Sequence, residues 1–239
     1  LIQRVRYALS LWLDNLDLSA FSRGVIRALV VADRSGLSAE TRRTFRETGT
    51  SHLMAVSGLH IGLIAGMGFV IVRLLWQFIP PLCNRVPARI AATLVGLACA
   101  LVYALLAGMQ LPTQRALIML SVYAAAFLLR RRAGAWNALA LAAVAVLFWH
   151  PPSVLEAGFW LSFGAVAVIT ATLQGVRGRP RWRQAVSVQL NITLALWPVL
   201  ALFDMSMSAL APLVNLVLVP VFGVLVVPVS LAGTALGMV

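Results

Sequence analysis

The sequence predicts an all-α, polytopic integral membrane bundle of about seven spans, ending in a proline-broken element and preceded by interfacial amphipathic helices. Three observations carry this. Of 239 residues, 61% are hydrophobic and 11% charged, with a mean hydropathy of +0.93; a soluble domain holds about 25% charged and 45–50% apolar residues. From Leu53 onward, apolar runs approach or exceed the roughly 20 residues that cross a bilayer. The arginines gather in alternate connections between those runs, as a single topology requires.

Residues 1–50 differ from the rest. Leu1, Val5, Leu9, Trp12 and Leu16 recur at helical spacing with Arg4, Arg6, Asp14 and Asp17 between them. Phe21, Val25 and Leu29 repeat the pattern, with Arg23 and Arg27 on the polar side. Ser38 fits an N-cap with Glu40 in the first turn, and Gly49 a stop. Helices of this kind lie in the membrane interface rather than across it.

Residues 51–239 form the second unit, with spans near 53–75, 88–108, 112–129, 135–149, 154–173 and 184–203. The fourth is short, and Pro151 and Pro152 after it fit a helix start. The stretch 209–239 is too long for one upright helix and too short for two. Pro212, Pro220 and Pro228 interrupt it and Asn215 sits in its apolar part. Broken helices survive in bilayers only where protein or water satisfies the freed backbone, so a kinked or re-entrant element is expected. Val239 closes the chain inside an apolar run, which reads as truncation of a longer protein.

Arg85 and Arg89, Arg130 to Arg132, and Arg177, Arg179, Arg181 and Arg183 occupy alternate connections, which the positive-inside rule makes cytoplasmic. The connections at 109–111, 150–153 and 204–208 then face outward. Residues 1–50 lie outside by parity, although they hold eight arginines against the usual bias. The net charge of +12 comes from arginine alone, without a lysine. GC-rich codon usage explains that choice, so the charge permits a polyanionic partner without demonstrating one. Cys83 and Cys99 form neither a disulfide framework nor a metal site. Three histidines without clustered carboxylates match no familiar hydrolytic metal centre. No cofactor is expected.

Three strings carry candidate chemistry. The first, His52-Leu-Met-Ala-Val-Ser57-Gly-Leu-His60-Ile-Gly62, opens the first span. Its glycines, Gly58, Gly62 and Gly66, form a stripe suited to close helix packing. Ser57 and His60, one turn apart on another side, mark the helix as engaged all round and therefore central. A lone histidine in a span is either a hydrogen-bonded structural group or part of a polar path. The second string, Gly108-Met-Gln-Leu-Pro112-Thr-Gln114-Arg115, opens the third span. Pro112 suits the first helical turn, but Arg115 opposes the helix dipole. It implies either a function or an ion pair with Glu156, which opens the fifth span at the same level. The third string, Gly158-Phe-Trp160-Leu-Ser162-Phe-Gly164, contains a tryptophan and a serine that also fit interface and packing roles.

In this order and rough spacing the three strings resemble the competence domain of ComEC-type DNA-uptake channels, and Ala211-Pro-Leu-Val-Asn215 onward is similar to the element that follows there. The likeness covers roughly residues 20–239. One departure is Trp160, where that family commonly has glutamine. The resemblance implies a multi-pass protein of the bacterial inner membrane that translocates single-stranded DNA during natural transformation. It further implies other DNA-uptake components as partners, an outer OB-like domain before this region and a metallo-β-lactamase-like domain after it. Ser57, His60, Gln114, Arg115, Ser162 and Asn215 would line the DNA path. Arg23, Arg27, Arg42, Arg43 and Arg46 would form its outer entry, where bidentate guanidinium forks suit phosphates and positive grooves suit single strands. Singly, each of these arginines reads equally as a solvated or headgroup-facing residue.

Two other classes compete. An intramembrane serine protease would pair Ser57 with His60 or His52, but one turn of helix aligns such a dyad poorly. A small-solute transporter would place its site at the broken helix and carry inverted repeats, which the sequence lacks. The topology has a direct check. Single cysteines at Arg131 and Ser206 should label from opposite sides with an impermeant reagent, and labelling of both from outside contradicts the orientation.

Overall fold

The helices begin and end where local chemistry dictates. In a computed structural model, described here for residues 2–78, 85–130, 134–176, 178–205, 208 and 210–237, α1 (Ile2–Asp14), α2 (Ala20–Val30) and α3 (Ala39–Glu47) precede the bundle. Ser19 Oγ accepts the Ser22 N–H (3.1 Å) to cap α2, and Ser38 Oγ accepts the Thr41 N–H (3.1 Å) to cap α3, as the sequence predicts. Gly49, at φ +70°, ends the segment in the left-handed conformation that glycine tolerates. The bundle follows as α4 (Gly58–Leu75), α5 (Ala88–Leu106), α6 (Leu111–Leu128), α7 (Ala135–Trp149), α8 (Ala157–Gly175) and α9 (Arg181–Leu202). The chain then runs through α10 (Ala211–Val221), a π-helical turn (Phe222–Val226) and α11 (Val227–Gly237).

Among the described residues six stretches are long and apolar enough to cross a membrane: Gly58–Phe78, α5, α6, α8, α9 and Ala211–Thr234. α7, at 15 residues, is shorter. The protein is an all-helical polytopic membrane bundle. Two spans start later than the sequence suggests. Ser51–Leu53 and Pro151–Leu155 form separate 3-10 turns, so the helices proper open at Gly58 and Ala157. Pro151 and Pro152 therefore do not extend the fourth span. The predicted cytoplasmic arginines Arg131, Arg132 and Arg177, with Cys83 and Ser206, lie outside the described residues.

One correction concerns the glycine stripe. A Cβ on Gly62 or Gly66 would meet nothing within 4 Å, and only Gly58 faces a neighbour closely, 3.3 Å from Ala116 Cβ. The tight approach uses other small residues. A Cβ on Gly96 would fall 2.6 Å from the Ala65 carbonyl oxygen, and one on Gly68 would fall 3.0 Å from Cys99 Sγ. α4 is consequently not engaged all round: Leu59, Gly62, Gly66, Val70, Ile71 and Leu74 are exposed, while Ile61, Ala65 and Gly68 are buried. Sequence spacing reveals small residues but not how far each helix is rotated about its axis.

The C-terminal element is interrupted, as expected of its prolines, and the interruption takes the form of a wide π-helical turn between two helices. Val227 N–H reaches back five residues to the Phe222 carbonyl, immediately before Pro228, which has no N–H to give. Pro212 occupies the first turn of α10, and Pro220 lies near its end. The element packs largely against one end of the bundle, termed outer here, which holds the starts of α4, α6 and α8. Gly49 abuts Ala211; Leu218, Val219 and Phe222 pack on the cluster of Ala28, Leu37, Leu53 and Met54; Gly223 abuts Leu63; and Gly237 abuts Trp12.

The amphipathic helices are docked on that same end. Tyr103 Oη, deep between α4 and α5, donates to the Leu29 carbonyl at 2.7 Å. Arg6 donates to the Val31 carbonyl (3.1 Å) and lies over Gly108, whose φ of +75° and missing Cβ admit the guanidinium. Leu9, Val30 and Val31 form a buried cluster against Leu106 and Leu231.

These contacts separate two chemically identical substitutions. Gly96→Ala places its methyl against a backbone oxygen, and overpacking of this kind costs about 1–3 kcal/mol. Gly62→Ala enters open space. The first should lower the thermal midpoint in detergent and the second should not; equal behaviour contradicts the packing described.

Candidate functional site

The outer end brings together all three strings that the sequence singles out. α4 and α6 meet where Gly58 faces Ala116, and α6 and α8 meet where Arg115 reaches Glu156. The site is thus built from three helix starts, where the first N–H groups lack partners within the helix.

At the start of α4, Ser57 is the N-cap and His60 the third helical residue. The Ser57 N–H donates to His60 Nδ1 at 3.2 Å, the return half of a capping box. His60 is fully buried, and its Nε2 has no hydrogen-bond partner among the described residues. Accepting at Nδ1 places the proton of a neutral ring on Nε2, so a donor points into the interior unanswered. Ser57 and His60 therefore occupy a helix start, not the body of a helix. No hydrogen bond joins Ser57 Oγ to the ring of His60 or His52. The His60 nitrogen that faces Ser57 is taken by the backbone, which removes the dyad a serine protease would need. His52 instead places Nδ1 3.1 Å from the Gly49 carbonyl.

At the start of α6, Gln114 Nε2 donates to the Met109 carbonyl at 2.6 Å. Arg115, only 5% exposed, donates from Nη1 to Glu156 Oε2 at 3.2 Å. The ion pair that the sequence offered as one of two explanations is present. Gly158 is what admits it, since a Cβ there would fall 2.6 Å from Arg115 Nη2. Glu156 is shared, with His150 Nε2 3.4 Å from its other oxygen. The pair does not use all of Arg115, whose buried Nε is unpartnered.

Trp160 donates from Nε1 to the Val154 carbonyl at 2.8 Å and is otherwise exposed, which fits the interface role. Ser162 is half-buried two residues further into α8. Asn215 lies apart from the three-string junction, in α10, with a buried and unpartnered Oδ1.

The outer arginines divide into two groups. Arg23 donates to the Leu16 and Leu18 carbonyls at 2.9 and 3.3 Å. Arg27 bridges Asp33 (2.8 Å) and Asp14 (3.1 Å). The Ser35 N–H on Asp33, together with Arg27, holds that carboxyl below the usual range. Arg23 and Arg27 are thus engaged within the protein rather than crowding each other for want of an anion. Arg42, Arg43 and Arg46 lie exposed on α3, a helix with no buried residue, and Arg43 pairs with Glu47 at 2.6 Å. Sequence reasoning missed Arg6, Tyr103 and His150. Tyr103 had a signal, since a hydroxyl at membrane depth needs a partner; Arg6 and His150 had none. Among the described residues no group of three or more His, Cys, Asp or Glu is placed to hold a metal ion.

A family model described as Competence protein matches residues 29–239. The chain is 36% identical over 213 residues to Competence protein ComA of Neisseria gonorrhoeae, covering 88% of this chain and 30% of that protein. It is 31% identical to Recombination protein 2 of Haemophilus influenzae, covering 87% of this chain and 28% of that protein. It is 28% identical to ComE operon protein 3 of Bacillus subtilis, covering 90% and 26%. The chain thus spans less than a third of the length of these relatives. No solved structure matches it significantly.

The Arg115–Glu156 pair predicts an asymmetry. Removing one partner of a buried pair costs about 3–5 kcal/mol, while replacing both by apolar residues is often neutral. The 33% exposure of the Glu156 side chain puts its removal toward the lower end. Glu156→Ala should lower the thermal midpoint, and the double variant Arg115→Met/Glu156→Leu should recover most of it. A Glu156→Ala protein as stable as the parent removes the pair from the fold's support.

Proposed function

The chain belongs to the Competence protein family, and from that membership we propose that it forms part of an inner-membrane route carrying single-stranded DNA into the cell during natural transformation. The observation that carries the reading is the junction of three helix starts, with buried polar atoms that the protein leaves unpaired. His60 Nε2 and Arg115 Nε sit there, buried near the starts of two candidate spans. Unanswered polar groups in an apolar interior are costly, and ionisable groups within membranes concentrate along transport paths. Water or phosphate oxygens along a path would satisfy both donors.

On this reading the exposed Arg42 and Arg46 of α3 are first to meet the strand. Arg23 and Arg27 support them by fixing α2 against its neighbouring loops. Arg115 stands at the inner limit of the basic groups, already half-neutralised by Glu156 and able to exchange part of that pairing for a phosphate. The chemistry proposed is conduction, not bond cleavage. Other uptake components and the flanking domains implied by the resemblance would supply capture, processing and drive.

His60→Leu tests the reading in a naturally transformable host that relies on this protein. The substitution keeps a side chain of similar size and removes the unpaired donor, together with the Nδ1 that accepts the Ser57 N–H. Membrane levels of the protein should stay near those of the parent, while entry of labelled single strands into the cytoplasm falls sharply. Normal entry with normal protein levels returns His60 to a purely structural role.

A further inference from the structure

A groove of about 380 Å³ opens between α4, α5 and α6, away from the three-string junction. Its volume lies within the 300–1,000 Å³ typical of small-molecule sites. Gly62, Gly66, Phe69, Leu97 and Leu120 give it an apolar body, and Arg73 and Arg89 lie at one end. The space is there because Gly62 and Gly66 lack side chains and face nothing within 4 Å. Gly68 and Gly96 set the close approach of α4 and α5 that forms its floor.

The two arginines have no internal counter-charge. Among the described residues no hydrogen bond or ion pair engages either guanidinium, and both residues are exposed; the Thr93 hydroxyl bonds only the Arg89 backbone carbonyl. The sequence holds no Asp or Glu between Glu47 and Glu156, so α4, α5 and α6 contain no carboxylate. Arg73 lies in the last turn of α4 and Arg89 in the first turn of α5, at the end that the positive-inside rule assigns to the cytoplasm.

We propose that this groove binds an anionic glycerophospholipid, with one acyl chain along Gly62, Gly66 and Phe69 and its phosphate at Arg73 and Arg89. The charge pattern selects the occupant. A single nucleic acid strand carries a phosphate on every nucleotide and needs cations along the whole groove, whereas here they stand at one end only. A lipid has one anionic head on a long apolar tail, and basic pockets between spans on the cytoplasmic side suit such heads. The inference does not depend on the transport reading.

Native mass spectrometry of the full-length protein in detergent, titrated separately with phosphatidylglycerol, phosphatidylcholine and oligothymidylate, tests it. Phosphatidylglycerol should form a one-to-one adduct at least about tenfold more readily than phosphatidylcholine, a preference of about 1.4 kcal/mol. Arg73→Gln/Arg89→Gln, which alters only exposed side chains, should abolish that preference. Gly66→Leu, which fills the groove without touching charge, should weaken both lipids. If Gly66→Leu fails to fold, phosphatidylglycerol with one acyl chain removed replaces it and should bind the parent protein with the same arginine dependence. An adduct that survives the double arginine variant, or equal binding of the two lipids, overturns the proposal. Arginine-dependent binding of oligothymidylate that displaces phosphatidylglycerol also overturns it, in favour of nucleic acid in the groove.

Discussion

The close approach of α4 and α5 is the constraint on which the rest of the bundle depends. Gly96 lies so near the Ala65 carbonyl that no side chain fits between them, and Gly68 packs closely, though less so, against Cys99. In lipid, helices gain little by hiding apolar surface from one another, so contact rests on close packing of this kind. Fixing these two helices sets the outer ends at a height where Tyr103 can reach Leu29, and it sets the rotation that leaves Gly62 and Gly66 open. The buried cluster of Val56, Ile61, Ala65, Ala100, Tyr103, Ala104 and Ala107 is that same contact continued toward the outer end.

From there the structure turns to polar accounting. Helix starts crowd together at the outer end; the Ser57–His60 box pairs one backbone N–H there, while Gln114 and Trp160 place their own side-chain N–H groups on the Met109 and Val154 carbonyls. The N-terminal helices complete the arrangement by offering carbonyls at Leu29, Val31 and Ala32 to groups from other elements. The Ala32 carbonyl is presented from a residue at φ +56°, a conformation uncommon for alanine. Residues 1–50 are thereby joined to the bundle by hydrogen bonds that a surface helix resting on headgroups would not make.

What the sequence made legible follows from this division. Span positions, the Ser38 cap, the Pro112 start and the Arg115–Glu156 pair were readable, because each rests on local spacing or on a single available partner. The roles of the glycines were not. A stripe at i, i+4 and i+8 shows where a helix can be approached, while the approach itself is decided by the facing helix, and α5 meets α4 on the side of Gly68. The fates of Arg23 and Arg27 were hidden for a related reason. Their partners are loop carbonyls and carboxylates 5–13 residues away, outside the i, i+4 geometry that suggested repulsion. That the proline-rich end is interrupted was readable, but its form, a π turn just before Pro228, was not.

The arginines acquire a simpler logic once their partners are known. Every Asp and Glu in the chain falls within residues 1–47 or at 156 and 204, all on the side that orientation assigns to the outside. Outer arginines therefore have acids within reach, and Arg27, Arg43 and Arg115 use them. The inner connections hold arginine without a single carboxylate. On that assignment the charge asymmetry is kept despite eight arginines in the N-terminal segment, and anchoring α2 and the start of α6 accounts for Arg23, Arg27 and Arg115 without any external anion. Any phosphate met outside would encounter the exposed Arg4, Arg34, Arg42 and Arg46, whose side chains have no partner among the described residues, before a pairing deeper in the protein had to yield.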